Sequence, residues 1–419
     1  MNYITNCSAG DDGAPISPDA AAARARALVP PVTQTEYLDL SAATGRVLAQ
    51  APIAATAVPP FDNSAMDGYA IKAGELIGIG PWTVPVIGTV AAGTVARPEA
   101  GATGAVRILT GAALPHGFDT VIMQERCERK GDAVTIFERP RPGQNVRRAG
   151  EDVEKGRMLL QTGDVLTPER LALLAGAGVA NIRVFRKIRV AILCTGSELR
   201  SAGEPLGAGQ IYNSNGILVS STLLGHAWIE LDDLGIVRDD RQMLTDVIRK
   251  ASRNYDAVIT TGGVSAGDED HVAAAVIESG GLLDVMKVGM RPGKPLKVGR
   301  IGISLFAGLP GNPNAALVCL RYIVLPALRR MAAMREFETK WSPAVAATGY
   351  PKKPDRTEFV PFRTVGHTAD GLQRIEFLGK GSSASLSAIA LAEGIARLPS
   401  DLAAIEPDAW LDVDFFRRG

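Results

Sequence analysis

The chain has 419 residues, enough for about three or four domains of ordinary size. Lysine plus arginine and aspartate plus glutamate both number 45, so the formal net charge is zero and the basic excess of a general nucleic-acid binder is missing. The composition is 46% hydrophobic but only 5% aromatic, which predicts aliphatic cores.

Cys7, Cys127, Cys194 and Cys319 are scattered, as are His116, His226, His271 and His367, so no zinc-type spacing arises and reduced, cytoplasmic thiols fit best. No apolar run reaches the roughly 18 residues that span a bilayer. Residues 1–16 show no signal-peptide pattern and read as a disordered leader. Ser17 and Pro18 then open a helix that must stop before Pro30 and Pro31. Thr167 and Pro168 repeat that signal, with Gly176 or Gly178 ending the second helix. These helices place residues 17–52 and 146–186 in one discontinuous linking domain. Between them, 53–145 holds short β-branched runs and Gly/Pro turns, an inserted β-rich domain. From 187 to 335 strands alternate with helices, which predicts a doubly wound parallel α/β sheet. Residues 336–419 lose the helices and read as a C-terminal β-barrel or sandwich.

In such a sheet, ligands bind beyond the carboxyl ends of the strands. The loops there carry Glu198 in "TGSEL", Asp239 and Asp240 in "RDD", and Asp268, Glu269 and Asp270 in "GDED". "MRPGKP" follows with Arg291 and Lys294, then "GLPGNP" with Pro310 and Pro313. Singly, each reads as well as a turn or a helix cap. Converging on one edge, they form a mixed-charge cleft in which acids suit Mg²⁺ and cations suit an oxyanion. Lys287, alternating with apolar neighbours, is a candidate for the same cleft. Chemistry at a phosphoanhydride follows, with metal and cations neutralising developing charge. No Walker loop occurs, which argues against ordinary ATPases.

The stretch "PPFDNSAMDGYA" places Asp62, Asn63 and Asp67 beside a turn signal. With "RILTGAALPHGFDTVIMQE", "GQNVRRAGED", "TGSEL", "IYNSN", "LGIVRDD", "TTGGVSAGDED", "MRPGKP" and "GLPGNP" in this order, the chain resembles the MoeA-type molybdopterin molybdenumtransferases, related to the gephyrin E domain. The resemblance implies a MogA-like α/β unit and a homodimer with a composite site. It also implies Mg²⁺-dependent insertion of molybdate into adenylated molybdopterin, with release of AMP. By this resemblance Asp67, Thr110, Asp152, Glu198, Asp239 and Asp270 are functional. Glu198, Asp239 and Asp270 are the metal candidates, and Asp67 faces the partner subunit's cleft. Arg147, Lys287, Arg291, Lys294, Pro310 and Pro313 bind the pterin or phosphate. Arg363 and Ser383 bind molybdate, with Ser382, Ser385 and Ser387 competing for the latter position.

Three departures stand out. Arg291 replaces a common Lys, Ala315 replaces a Ser, and Ser197 replaces an acid beside Glu198. The resemblance further implies a molybdopterin adenylyltransferase upstream, and apo-molybdoenzymes or cofactor carriers downstream. The rival readings are that adenylyltransferase itself, a non-enzymatic gephyrin-like scaffold, and a tungstate-inserting paralogue.

Overall fold

The computed structural model describes residues 4–5, 15–94, 103–263, 270–293, 296–379 and 384–416. Most of the expected leader lies outside this set. Ile4–Thr5 pairs in parallel with Leu283 and Asp284, and Ile16 is buried and bridges Val288.

Both capped helices form. Ser17 accepts a hydrogen bond from the Ala20 amide at 3.1 Å and starts Pro18–Ala27. Thr167 accepts one from the Arg170 amide at 3.4 Å and starts Pro168–Gly176. Their side-chain oxygens satisfy amides that a first helical turn leaves unbonded, where proline sacrifices nothing. Thr35–Asp39 pairs antiparallel with Asn181–Phe185. Ala43 and Leu48 share a core with Leu166, Leu174, Ile182 and Val184, so segments far apart in sequence pack together.

Between those segments lies a six-stranded sheet in the order Thr120–Met123, Gly68–Ile71, Ala105–Ile108, Trp82–Val90, Ala133–Ile136, Cys127–Lys130. Only the Trp82–Val90 and Ala105–Ile108 pair is parallel.

The α/β unit contains a seven-stranded sheet. Ser304–Leu309, Ala257–Thr261, Ile188–Thr195 and Ile229–Val237 run parallel in that order, the last forming one edge of the sheet. Alternate residues face two cores: Ile188, Val190 and Ile192 meet one, Ala191 and Leu193 the other. Helices Arg241–Asn254 and His271–Glu278 cover the second face, and Ser214–Leu224 with residues 313–331 cover the first.

The sheet departs from the all-parallel expectation at Leu296–Ile301, which runs antiparallel to both neighbours. Gly302, at φ +59°, begins the tight turn from Ile301 to Ser304, and glycine at positive φ favours a two-residue hairpin there. The helical stretch that opens at Pro313 and runs to Met331 is interrupted by a π turn at Leu320–Val324. Pro326, just beyond, lacks an amide and crowds the preceding turn, which the wider π spacing relieves.

C-terminally, Thr357–His367, Gln373–Phe377, Ser342–Ala346, Trp410–Phe415 and Gly394–Leu398 close on themselves as a five-stranded barrel. Phe362, Ile375, Ala396 and Val413 fill it. Among the described residues no helix is long and apolar enough to cross a membrane.

His226 packs against Trp228, with ring centroids 5.0 Å apart. Burial, then the charges of Arg329 and Arg321, push its imidazole down to about 4. A depressed histidine stabilises the fold above its unfolded value of 6.5 and loses that contribution as pH falls towards 4. The loss should reach at most about 3 kcal/mol. Melting curves across this window should show a slope in the native chain that His226→Gln flattens; an equal slope in both would refute it.

Candidate functional site at the sheet edge

In the central sheet Thr195 lies opposite Val237, and Cys194 opposite Thr261, so the loops leaving these strands open on one edge. Gly262 and Gly263 have φ of +84° and +63°, and a Cβ on Gly262 would stand 2.1 Å from the Thr195 carbonyl. That turn admits only glycine.

Glu198 is exposed just beyond Thr195. A Cβ on Gly196 would approach Glu198 Oε2 to 2.5 Å, so the carboxylate folds back over the turn. Asp239 is half-buried, and its Oδ1 is buried with no hydrogen-bond partner among the described residues. A buried acceptor left without a donor is costly, so this oxygen has an unmet need that a water, a cation or a ligand would fill. Its neighbour Asp240 instead caps Arg241–Asn254, accepting from the Met243 amide at 2.8 Å.

Asp270 caps His271–Glu278 through the Ala273 amide at 2.9 Å and forms an ion pair with Lys297. Lys297 is 3% exposed. Burial pushes its amine down to about 8. Sequence reasoning missed Lys297 because it missed the strand Leu296–Ile301. The available signal was a lysine set inside the apolar run Leu296–Val298. Asp268, Glu269, Lys294 and Ser383 lie outside the described residues.

Lys287 is exposed between buried Met286 and Val288, and its carbonyl accepts the Ile16 amide at 2.9 Å. Met290–Arg291 pairs in parallel with barrel strand Thr357–His367, which sets Arg291 opposite Glu358. Arg291, Asn314, Tyr350 and Glu358 line one narrow cleft between sheet and barrel. Pro310 is buried at the end of Ser304–Leu309, and Pro313 opens the following helix. Ala315 is buried where a hydroxyl was expected, while Asn314 beside it holds a buried amide oxygen without a partner. Arg363 pairs with Glu376 at 2.8 Å. It lies an odd number of residues from Glu358 on one strand, so the two face opposite ways.

The acids and hydroxyl of the inserted sheet form a second group. Asp62 accepts from the Ala149 amide at 2.8 Å and from Arg148 at 2.6 Å, and both hold its carboxyl below the usual range. Asn63 donates to the Phe61 carbonyl at 3.2 Å, so both residues shape the loop. Asp67 Oδ1 accepts from the Thr110 amide at 2.7 Å and the Thr110 hydroxyl at 2.8 Å, which lower its pKa in that order. Arg107 adds a favourable charge nearby and donates to the Gly68 carbonyl at 3.0 Å; it too was not foreseen. Arg147 is exposed opposite Asn63, and Asp152 is exposed with its amide bonded to Val58. No hydrogen bond or ion pair among the described residues joins this group to the sheet edge.

Gly68 keeps Asp67 in place, because a Cβ there would sit 1.9 Å from the Ile122 carbonyl oxygen. Gly68→Ala should therefore destabilise by about 2 kcal/mol or more. Denaturant titration tests this, and an unchanged midpoint would count against so close an approach.

Among the described residues no three His, Cys, Asp or Glu side chains converge as a metal cage. Mg²⁺ needs less, since it keeps several waters and takes one or two carboxylates with substrate phosphate. Asp239, with its unpartnered oxygen, and exposed Glu198 fit that requirement, whereas Asp270 already holds Lys297 as a counter-ion.

Comparison with known proteins agrees with this architecture. Residues 16–178 match the MoeA N-terminal region (domain I and II), 191–330 a probable molybdopterin binding domain, and 343–416 the MoeA C-terminal region (domain IV). A molybdopterin molybdenumtransferase of Haemophilus influenzae is 41% identical over 73% of this chain and 75% of that protein. One from Bacillus subtilis is 34% identical over 92% of this chain and 90% of its own length. The crystal structure of a molybdopterin biosynthesis MoeA protein from Pyrococcus horikoshii OT3 superposes with a TM-score of 0.80 at 28% identity, covering 96% of this chain and all of that one. On these grounds, and on the fold that carries them, the chain belongs to the MoeA family of molybdopterin molybdenumtransferases.

Proposed function

We propose that this protein inserts molybdate into adenylated molybdopterin, releasing AMP and leaving molybdenum on the pterin dithiolene. The observation that carries the reading is that the loops bearing Glu198 and Asp239 leave neighbouring parallel strands at one sheet edge, with Asp270 capping a helix of the same unit, within a chain whose relatives are molybdenumtransferases. The pterin supplies sulfur ligands of its own, so the scarcity of cysteine and histidine is no obstacle. Molybdate is a tetrahedral dianion and calls for cations and donors.

Arg291, with Lys287 and Lys294, holds phosphate or molybdate, and Arg363 and Ser383 receive molybdate on the barrel side. Pro310 and Pro313 shape the turn beneath the pterin, and Arg147 meets the nucleotide or pterin. Glu198 and Asp239 would hold Mg²⁺, which supplies neutralisation of the charge gathering on the departing phosphate. Asp270 orients water or phosphate from its helix cap. In a homodimer, Asp67 and Thr110 complete the site of the partner.

Purified protein mixed with adenylated molybdopterin, molybdate and Mg²⁺ should free AMP and yield a product that reconstitutes an apo-molybdoenzyme. Formation of adenylated pterin from ATP, without its consumption, would replace this reading with the adenylyltransferase one. Substituting tungstate for molybdate in the same assay reads metal preference.

A further inference from the structure

Glu358 is a buried carboxylate that neither the family resemblance nor the proposed mechanism uses. Its side chain is 5% exposed, and an ionised carboxylate so placed needs a cationic or hydrogen-bonding partner. The partner is Arg291, 3.8 Å away, whose own side chain remains 53% exposed. The pair straddles the junction between the α/β unit and the barrel. Met290 and Arg291 add a short parallel strand to Thr357–His367, with Arg291 in register with Glu358. The Thr357 amide donates to the Gly289 carbonyl at 3.0 Å and anchors the same junction. Tyr350 packs beside Phe377 at a centroid distance of 4.9 Å and lines the cleft with both charges.

We propose that Glu358 is a positioning residue that aims the Arg291 guanidinium at the oxyanion, and so couples the barrel to the sheet edge. The inference rests on the reading of Arg291 as an oxyanion ligand. Its physical basis is the difference between guanidinium and ammonium. At 3.8 Å the pair is beyond hydrogen-bond length, so Glu358 orients Arg291 through charge. A guanidinium is planar with its donors in a fixed fork, so the edge turned towards the carboxylate sets where the other edge points. An ammonium is a compact charge on a flexible stem and gains far less from such a guide. Arginine at 291, rather than lysine, therefore makes Glu358 matter in this chain.

The test uses the full-length protein, with molybdate affinity read by calorimetry, molybdate KM and kcat from AMP release, and thermal melting for each variant. Glu358→Gln, which keeps shape and loses charge, should raise the molybdate Kd and KM about tenfold, with kcat within about twofold. Glu358→Asp, which keeps charge but shortens the reach, should recover part of that loss and covers the case in which the glutamine variant folds poorly. In an Arg291→Lys background, Glu358→Gln should change Kd and KM by less than about twofold, because the group it guides is gone.

Equal losses from Glu358→Gln in both backgrounds would mean that Glu358 acts on the fold and not through Arg291, and would overturn the proposal. So would an unchanged Kd in Glu358→Gln when Arg291→Ala weakens binding. If Arg291→Ala itself leaves molybdate binding untouched, the oxyanion reading of Arg291 falls first and this inference falls with it.

Discussion

Asp270→Asn should cut AMP release by at least about a hundredfold while leaving the helix it caps in place. Asparagine caps helices as well as aspartate does, so the bond now made to the Ala273 amide has a ready substitute. The lost quantity is charge. Asp270 neutralises Lys297, which is 3% exposed, and removing one partner of a buried pair typically costs about 3–5 kcal/mol. A stability loss could then masquerade as a catalytic one.

Lys297→Met separates the two effects, since it removes the stranded ammonium and keeps an apolar stem of similar length. The double variant Asp270→Asn, Lys297→Met should regain most of the melting temperature of the native chain and still release almost no AMP. Turnover of the double variant within about threefold of the native enzyme would remove Asp270 from the mechanism. A double variant that stays as unstable as Asp270→Asn would show instead that the ion pair contributes little to the fold.

The second large effect concerns the separation of the site into two groups. Asp67 and Thr110 bind each other on the inserted sheet, and no hydrogen bond or ion pair among the described residues links them to Glu198, Asp239 or Asp270. Asp67→Asn and Asp239→Asn should each be close to inactive as homodimers. Co-expressed with different tags, they should form mixed dimers in which one of the two sites is intact. Random pairing would restore about a quarter of native turnover to the mixture, and about half to purified mixed dimers. Asparagine at 67 can still accept both hydrogen bonds from Thr110, so folding is not the variable. Mixed dimers no more active than their parents would place both groups in the same subunit's site, or remove Asp67 from the chemistry.

How much of this was legible beforehand follows from the range of the interactions. Ser17, Thr167 and Asp240 act on amides within a few residues, so their cap signals could be read from neighbouring letters alone. Most of the order of strands and helices was legible for the same reason, because it rests on local periodicity and turn residues, but the strand Leu296–Ile301 was not. Motif order sufficed for the family, and for the acids that end up on one sheet edge.

What the letters by themselves determined is therefore the local caps and turns, the alternation of elements, the family, and the candidate acids on the strand-end loops. Only the tertiary structure decided which acid does what. Asp239 and Asp240 are indistinguishable as "RDD", yet one caps a helix and the other holds an unpartnered buried oxygen. Lys297 gained its meaning from an antiparallel strand whose partners are set by the hairpin at Gly302 and by packing against Leu282–Met286. Glu358 met Arg291 only because a short strand of the α/β unit joined the barrel. Burial and ion pairing depend on surfaces brought together from distant parts of the chain, and no local pattern encodes which surface arrives.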